Sequence, residues 1–414
     1  MPTTPRPTVQ DATCTACGCA CDDIALEVEG DRIVEARRAC EVGLGWFLRD
    51  HRHGGPAATI DGRGVSADEA LDRAATLLSR ARAPVVLGLS STTVEAVSMA
   101  VAVADRLGAA IDPAHADGAS ARLRAVARVG RVGATLGEVK DRADVLVFWG
   151  VDPAATHPRH FERYSIDARG RFVRRRTVLV AGAAPSATSA RADMFLQVAD
   201  NAQFDTLWAL RALANGSPLD VGRAEAATGL GIDALRAWAG RLKSARYGAF
   251  FAGPGLGDAS THEAALLLVR DLNASTRFVF LTLGGPGNPA GAEAALTWSA
   301  GYPSGVDFGS GGPRPLGMTA AEGLARGRFD AALVVGEGPP TGPIPTVVIA
   351  PGATSRGVSV ALAAATPGIH AGGTVFRGDG VALPLRPSLP TSLPTDRELL
   401  VRLDERLKTL QMRA

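Results

Sequence analysis

Short apolar runs that break into small or turn-forming residues recur along this chain, and they leave few folds open to it. "APVVLGLSS", "ADVLVFWGVDP", "RTVLVAGAAPS", "RYGAFFAGPGLG", "RFVFLTLGGPGNP", "FDAALVVGEGPP" and "IPTVVIAPGA" are too short for helices and apolar throughout rather than alternating. A strand buried on both faces reads that way, and Gly, Pro, Asp or Asn at its carboxyl end is how parallel strands lead into ligand-facing loops. Between them, "TVEAVSMAVAVADRLGA", stopped at Gly108, and "THEAALLLVRDLN" carry helical spacing. The expected class is α/β with doubly wound, Rossmann-like sheets. At the end of the chain, Thr395 and Glu398 form a capping box ahead of Leu399, Leu400, Leu403, Leu407 and Leu410, one apolar face expected to pack on its own domain.

Composition narrows the function classes. With 46% hydrophobic and 21% charged residues over 414 positions, the chain can bury a sizeable core in two or three domains. Its formal charge of +2 offers no basic field for nucleic acid, and the cationic run Arg171 to Arg176 reads as a solvated turn rather than a phosphate grip. No apolar run approaches the roughly 20 residues a membrane span needs. The start "MPTTPRPTVQ" lacks the apolar core of a leader and reads as a flexible tail, so the expected compartment is the cytoplasm. The domain reading is a tail over 1–12, a cysteine-rich lobe over 13–55, and an α/β domain over 56–140 completed by a later segment. A second α/β domain over 141–280, a returning α/β segment over 281–390 and a terminal helix over 391–414 follow. The Pro- and Gly-rich stretches at 301–317 and 384–394 read as ordered connections.

All five cysteines fall between residues 14 and 40. Concentration in one segment argues against a secreted disulfide framework and for a metal site in a reducing compartment. Cys14, Cys17, Cys21 and Cys40 stand as C-x2-C-x3-C-x18-C, three thiolates from one tight loop and a fourth from a returning segment, with Cys19 spare. Soft thiolates so spaced suit a [4Fe–4S] cube with one ligand per iron. Zinc and a metal-free lobe of reduced thiols are the alternatives, zinc being weakened by the lack of a second C-x2-C knuckle. Between the ligands, "DDIALEVEGDRIVEARR" alternates around Glu29-Gly30-Asp31 as a hairpin.

Other motifs carry weaker signals. His157 and His160 in "THPRHFERYS" could pair on a metal, although a helix start is the plainer reading. "GPGLG" at 253–257 and "GGPGNPAG" at 284–291 could bring backbone amides to phosphates. Lys140 reads as a cation closing a helix, and no nucleophile elbow or Ser-His-Asp order is present.

"CTACGCACDDIALEVEGDRI" with "ACEVGLGWF", "TLGEVKDRADVLVFWGVDPAATHPRHFERYS", "GNPAG", "TW", "GYPSGVDF" and "HAGGTVFRGDGVALPLRP" together resemble the B-type subunit of formylmethanofuran dehydrogenase, a relative of the molybdopterin-dependent formate dehydrogenases. The likeness runs collinearly from about residue 14 to 388. It implies a molybdopterin-oxidoreductase-like fold, a [4Fe–4S] cluster on the N-terminal cysteines, and a tungsten or molybdenum bis-pterin cofactor. It also implies CO2 reduction to formate, and a partner of amidohydrolase type that condenses formate with a furan-type amine.

The resemblance fails where that chemistry sits. The family's metal-binding cysteine falls within "GAAIDPAHADGAS", and no cysteine follows Cys40. His115, Asp117, Gly118 and Ser120 offer no equally soft ligand, although Asp117 or Ser120 could ligate molybdenum. After "RTVLV" the family's Asp-Pro-Arg turn is replaced by "AGAAPSATSARAD", and near the end its acidic residues give way to "IHAGGT". The pattern resembles the B-type subunit of the bacterial formyltransferase/hydrolase complex of tetrahydromethanopterin-linked one-carbon metabolism, which releases formate. That likeness implies a non-redox scaffold without catalytic or pterin-binding residues of its own, beside a formyl hydrolase of amidohydrolase type, a formyltransferase and a further subunit. A working tungsten or molybdenum subunit, and a metal-bearing interaction module outside one-carbon metabolism, are the alternatives.

Overall fold

The computed structural model describes residues 7–113, 117–339, 341–352 and 357–413, the side chains of 117–120 and 254 excepted. Two compact units divide the chain: Met1–His115 with Gly285–Ala414, and Ala116–Gly284. The break between the α/β units thus lies at 115/116, not at the 140/141 read from sequence. Its cause is tertiary: Ala125, on the helix Asp117–Val129, is fully buried in the second unit's core, and Phe280 N–H donates to the Val132 carbonyl at 2.7 Å.

The first unit is built on a nine-stranded sheet in the order Arg314–Pro315, Val306–Asp307, Ala110–Asp112, Pro84–Gly88, Ala331–Val335, Thr346–Ala350, Val360–Ala363, Ala58–Ile60, Arg63–Gly64. Its middle five strands run parallel, and the flanking pairs are antiparallel. Pro84–Gly88 and Ala331–Val335 are buried at every residue, as the unbroken apolar runs require. The helices Ala67–Ser79, Val94–Leu107, Pro289–Ala300 and Asp396–Gln411 contribute to the core on one side of this sheet. Leu399, Leu400, Leu403 and Leu407 are fully buried there, each contributing about 1.5–3 kcal/mol of transfer free energy, so the terminal helix packs on its own unit. Its capping box forms, with Glu398 N–H donating to Thr395 Oγ1 at 3.1 Å and Thr395 N–H to Glu398 Oε2 at 2.8 Å.

A separate three-stranded sheet, Thr8–Ala12, Ile24–Glu29 and Arg32–Arg37, makes the cysteine-bearing lobe. The tail expected to be flexible over 1–12 is therefore strand from residue 8, with Thr8 opposite Glu27 and Val9 opposite Leu26. The physical reason is that Ile24–Glu29 would otherwise present an open row of backbone donors and acceptors. Ala20 packs on Val375, Leu383 and Leu385 of the hairpin Gly373–Phe376 and Ala382–Leu385, and Thr13 Oγ1 donates to the Pro384 carbonyl at 2.8 Å. The proline-rich connection beyond this hairpin is ordered, Ser388 and Leu389 N–H both donating to the Ile369 carbonyl.

The second unit holds five parallel strands in the order Met194–Gln197, Thr177–Gly182, Val145–Trp149, Tyr247–Ala252, Arg277–Thr282. Alternation along neighbouring strands sends Trp149, Phe250 and Phe280 to one face, where they stack at 5.8 and 5.5 Å between ring centres. Phe148 and Phe251 stack at 5.1 Å on the other face. Buried Trp149 keeps a partner for its indole N–H, Gln203 Oε1 at 3.1 Å, so its burial leaves no donor orphaned.

Candidate metal centre and ligand crevices

Cys14 follows the first strand of the lobe, and its N–H donates to the Cys21 carbonyl at 2.8 Å. That bond closes the loop carrying Cys14, Cys17 and Cys21, and a second from Ala20 N–H to the Cys17 carbonyl tightens it. Cys40 caps the short helix Glu41–Phe47. Gly43, one turn into that helix, has little room for a side chain: a Cβ there would lie 3.3 Å from Cys14 Sγ and 3.9 Å from Cys40 Sγ. The helix therefore delivers the fourth thiol beside the loop. Burial pushes the Cys14 thiol up to about 12, and Cys17, Cys21 and Cys40 add to that shift, so all four sulfurs lie within electrostatic reach. Cys17 is pulled the other way, chiefly by a hydrogen bond from Cys19, which is itself 1% exposed.

Cys14 and Cys21 are buried and Cys17 and Cys40 half-buried, and the Cys14 thiol, which burial holds un-ionised, would become a favourable thiolate beside a bound cation. Among the described residues, no three His, Cys, Asp or Glu side chains converge as a single-ion site. A lone zinc needs four donors within about 2.3 Å of one point. A cube takes one soft thiolate at each corner, and Cys14, Cys17, Cys21 and Cys40, which lie within electrostatic reach of one another, are the residues that would supply them.

Ligands of doubly wound sheets bind beyond the carboxyl ends of the strands, where the strand order reverses. In the first unit this place lies between Pro84–Gly88 and Ala331–Val335. Its polar groups are already matched to one another. Glu337 N–H donates to Ser91 Oγ at 2.8 Å, Asn288 N–H to the Ser90 carbonyl at 2.5 Å, and Gly287 N–H to the Thr15 carbonyl at 2.8 Å. Asn288, 1% exposed, donates through Nδ2 to the Thr92 carbonyl at 2.9 Å and accepts at Oδ1 from Phe376 N–H at 2.8 Å. In "IHAGGT", Thr374 donates from its N–H and hydroxyl to the Glu95 carboxylate at 3.0 and 2.7 Å.

The second unit's reversal, between Val145–Trp149 and Tyr247–Ala252, is closed mainly by backbone, with Gln203 Nε2 donating to the Gly255 carbonyl at 2.7 Å. Gly253 N–H donates to the Trp149 carbonyl at 3.3 Å and Gly255 N–H to the Gly150 carbonyl at 3.1 Å. Gly150 has φ 62°, and a Cβ on it would come within 2.6 Å of the Gly255 carbonyl carbon, so only glycine lets these loops touch. The glycine clusters that could have brought amides to phosphates thus have these amides engaged elsewhere, because glycine permits close approach of backbone to backbone as readily as to a ligand. After Thr177–Gly182, the substituted stretch is self-satisfied too: Thr188 N–H donates to Asp152 Oδ1 at 2.9 Å, and Ser186 and Ser189 hydrogen-bond each other.

His115 lies outside the described residues, as do the side chains of Asp117, Gly118 and Ser120. Lys140 sits in the last turn of the helix Leu136–Arg142. His157 and His160 have different partners. His157 Nε2 faces the Gly284 carbonyl at 2.9 Å, whereas His160, fully buried, bonds Ser165 Oγ through Nδ1 at 2.9 Å and stands edge-on to Phe251 at 4.9 Å. Desolvation holds the His160 imidazole neutral down to about 3. An unfolded chain protonates its histidines near 6.5 and so binds more protons below that pH. The stability owed to neutral His160 is full above about 6.5 and lost as pH falls towards 3. Between pH 7 and about pH 5, urea titrations are expected to record about 2 kcal/mol less pH-dependent loss in His160→Gln than in the parent. Equal losses in the two proteins would remove the assignment.

The sequence reading missed Asn288, Ser91 and Glu95. An Asn directly before the Pro that opens Pro289–Ala300 was the available signal for the first, since Pro favours the first helical position and Asn the cap before it.

A cysteine-bearing β lobe with two doubly wound units defines a protein of molybdopterin-oxidoreductase-like fold. The chain belongs to the family of B-type subunits of formylmethanofuran dehydrogenase. It is 34% identical to the B-type subunit of the tungsten-containing formylmethanofuran dehydrogenase 2 of Methanocaldococcus jannaschii, over 97% of this chain and 99% of that one. The Methanococcus maripaludis counterpart is 32% identical over 94% and 96%. The B-type subunit of the formyltransferase/hydrolase complex of Methylorubrum extorquens is 30% identical over 85% and 98%. Among solved structures, the formyltransferase/hydrolase complex from Methylorubrum extorquens with methylofuran matches at a TM-score of 0.75 and 28% identity, covering 86% of this chain and 100% of that one. Acetylene hydratase from Pelobacter acetylenicus, at 0.65 and 10%, covering 97% and 70%, shares the fold. No family model matches the chain. Among the described residues, no helix is long and apolar enough to cross a membrane.

Proposed function

We propose that this chain is the non-redox B-type subunit of a formyltransferase/hydrolase complex, a scaffold that carries the family fold without its pterin chemistry. The observation that carries this reading is the matching of crevice groups to one another in each unit. A pterin nucleotide would need phosphate and ring contacts from donors that here hold Ser91 to Glu337, Asn288 to Ser90 and Gly255 to Gly150. Opening them would cost about 0.5–1.5 kcal/mol for each ordinary bond lost, and more for each buried group left unpaired. The soft ligand is missing as well, since no cysteine follows Cys40.

On this reading formyl transfer and hydrolysis occur on partners: a formyltransferase, a hydrolase of amidohydrolase type and a further subunit, in the cytoplasm. A [4Fe–4S] cluster on Cys14, Cys17, Cys21 and Cys40 would supply four thiolate–iron bonds that tie the loop to the Glu41–Phe47 helix. Electron transfer is not required of it. Among the described residues of the crevices, the carboxylates of Glu95 and Asp152 hold loops together, accepting from Thr374 and Thr188.

The higher identity and coverage of the tungsten-containing relatives favour a second reading, a working metal–pterin subunit ligated through Asp117 or Ser120. Alanine at either position separates the two. For a scaffold, formate release by the assembled complex is expected to stay within about twofold of the parent. Loss of a metal ligand would lower it by at least the roughly 10–100-fold seen even for outer-sphere changes, and that result in an intact complex would end the scaffold reading.

A further inference from the structure

Between the helix His160–Tyr164 and the strand Thr177–Gly182 runs an arginine loop that the scaffold reading leaves without a task. Arg169, Arg171, Arg174 and Arg175 lie on it, with Phe172 60% exposed and Val173 buried at 5%. The loop is built rather than loose. Phe172 N–H donates to the Asp141 carbonyl at 2.9 Å, and half-buried Arg176 donates to the carbonyls of Ala168, at 2.6 Å, and Lys140. Gly170 fits only because it lacks a Cβ, which would collide with the Lys140 carbonyl oxygen and lie 2.5 Å from Val173 Cγ1. Arg142 covers the Phe172 ring, 4.9 Å from its centre.

The charge here is concentrated. Residues 138–146 and 169–177 hold seven cations against three carboxylates, net +4, so the rest of a chain of formal charge +2 is net negative. Asp141 faces Arg171 at 3.6 Å, whereas Arg169, Arg174 and Arg175 have no ion pair among the described residues. Fixing like charges side by side is unfavourable through self-repulsion, and a solvated turn has no need of buried anchors to do it. Six of the seven cations are guanidinium groups, which grip carboxylates bidentately, and arginine with an exposed aromatic ring is the composition of interface hot spots.

We infer that this loop is the docking surface for an acidic face of a partner subunit. The inference rests on the reading of the chain as a complex subunit and names the chemistry of one contact. Nucleic acid fits less well. A duplex presents one charge about every 1.7 Å and needs a continuing basic track, which a net negative remainder does not provide.

The test co-expresses two differently tagged full-length chains, parent and R171E/R174E/R175E, with the partner subunits, and counts each in the assembled complex by native mass spectrometry. In about 50 mM salt the charge-reversed chain is expected to enter at least about tenfold less often, with the neutral R171Q/R174Q/R175Q between the two. The deficit should shrink in about 0.5 M salt, where screening shortens to a few ångströms. A control reversal away from the loop, R223E/R236E/R241E, should enter like the parent, and matched thermal unfolding of all four proteins establishes that the reversals fold. Equal entry of the charge-reversed chain overturns the inference, as does lost binding of a single-stranded RNA 20-mer with entry unchanged. A parent chain that joins no complex overturns the scaffold reading itself and this inference with it.

Discussion

Serine at Cys40 is expected to abolish the iron content of anaerobically purified protein, while serine at Cys19 leaves it unchanged. Cys40 would be the one ligand supplied from outside the 14–21 loop, and it stands at the cap of Glu41–Phe47 with its sulfur beside Cys14 across Gly43. A serine hydroxyl is harder and far less acidic than a thiol, so the fourth corner of the cube would be left to water. Cys19 is buried and hydrogen-bonded to Cys17, so its loss alters a neighbour and not a corner. Iron per chain should fall from about four to near zero in Cys40→Ser, with loss of the brown absorbance. A colourless, iron-free parent made in a host that assembles clusters would show instead that the thiols stay reduced or take zinc.

Alanine at Asn288 is the substitution expected to weaken the first unit most among the crevice residues. Its carboxamide lies between the loop after Pro84–Gly88 and the hairpin strand Gly373–Phe376, and it is 1% exposed. Truncation strands the Phe376 N–H and the Thr92 carbonyl, partners at 2.8 and 2.9 Å, in a place that the small side chain does not fill. At about 1–3 kcal/mol for each buried group left unpaired, the expected destabilisation is about 2–6 kcal/mol. Aspartate should fare no better, because it keeps the acceptor for Phe376 but turns a carboxylate oxygen towards the Thr92 carbonyl. Denaturant unfolding measures the loss, and hydrogen exchange at Phe376 localises it. A change below about 0.5 kcal/mol, ordinary for a surface site, would show that the crevice is held by other groups.

The strands and the class of fold were legible because a strand buried on both faces has an unbroken apolar signature, as in Pro84–Gly88 and Val145–Trp149. The terminal helix was legible down to its capping box, since both partners are three residues apart. Sheet membership was not. The residues of Asp117–Val129 that face the second unit's core carry no local mark of which sheet they cover, and the end of the cysteine lobe's first strand is set by its pairing with Ile24–Glu29, not by its own composition. The glycine clusters mislead for the same reason. Gly150, Gly253 and Gly255 permit a close approach, but whether a phosphate or another loop approaches depends on strand order, which places residues about a hundred positions apart in contact. The four-cysteine spacing marked the candidate centre, whereas Asn288 and Ser91 belong to the crevice only through tertiary hydrogen bonds.

On the proposed reading the family's fold persists here without its metal–pterin cofactor. That reading is tested most directly by elemental analysis of tungsten and molybdenum in the intact complex, purified from cells supplied with both metals, together with pterin fluorescence after acid release. Both metals are expected far below one atom per copy of this chain, with no pterin signal, in a preparation that releases formate from a formylated carrier. Stoichiometric tungsten or molybdenum with an equivalent of pterin, accompanied by viologen-linked formate oxidation, would contradict it.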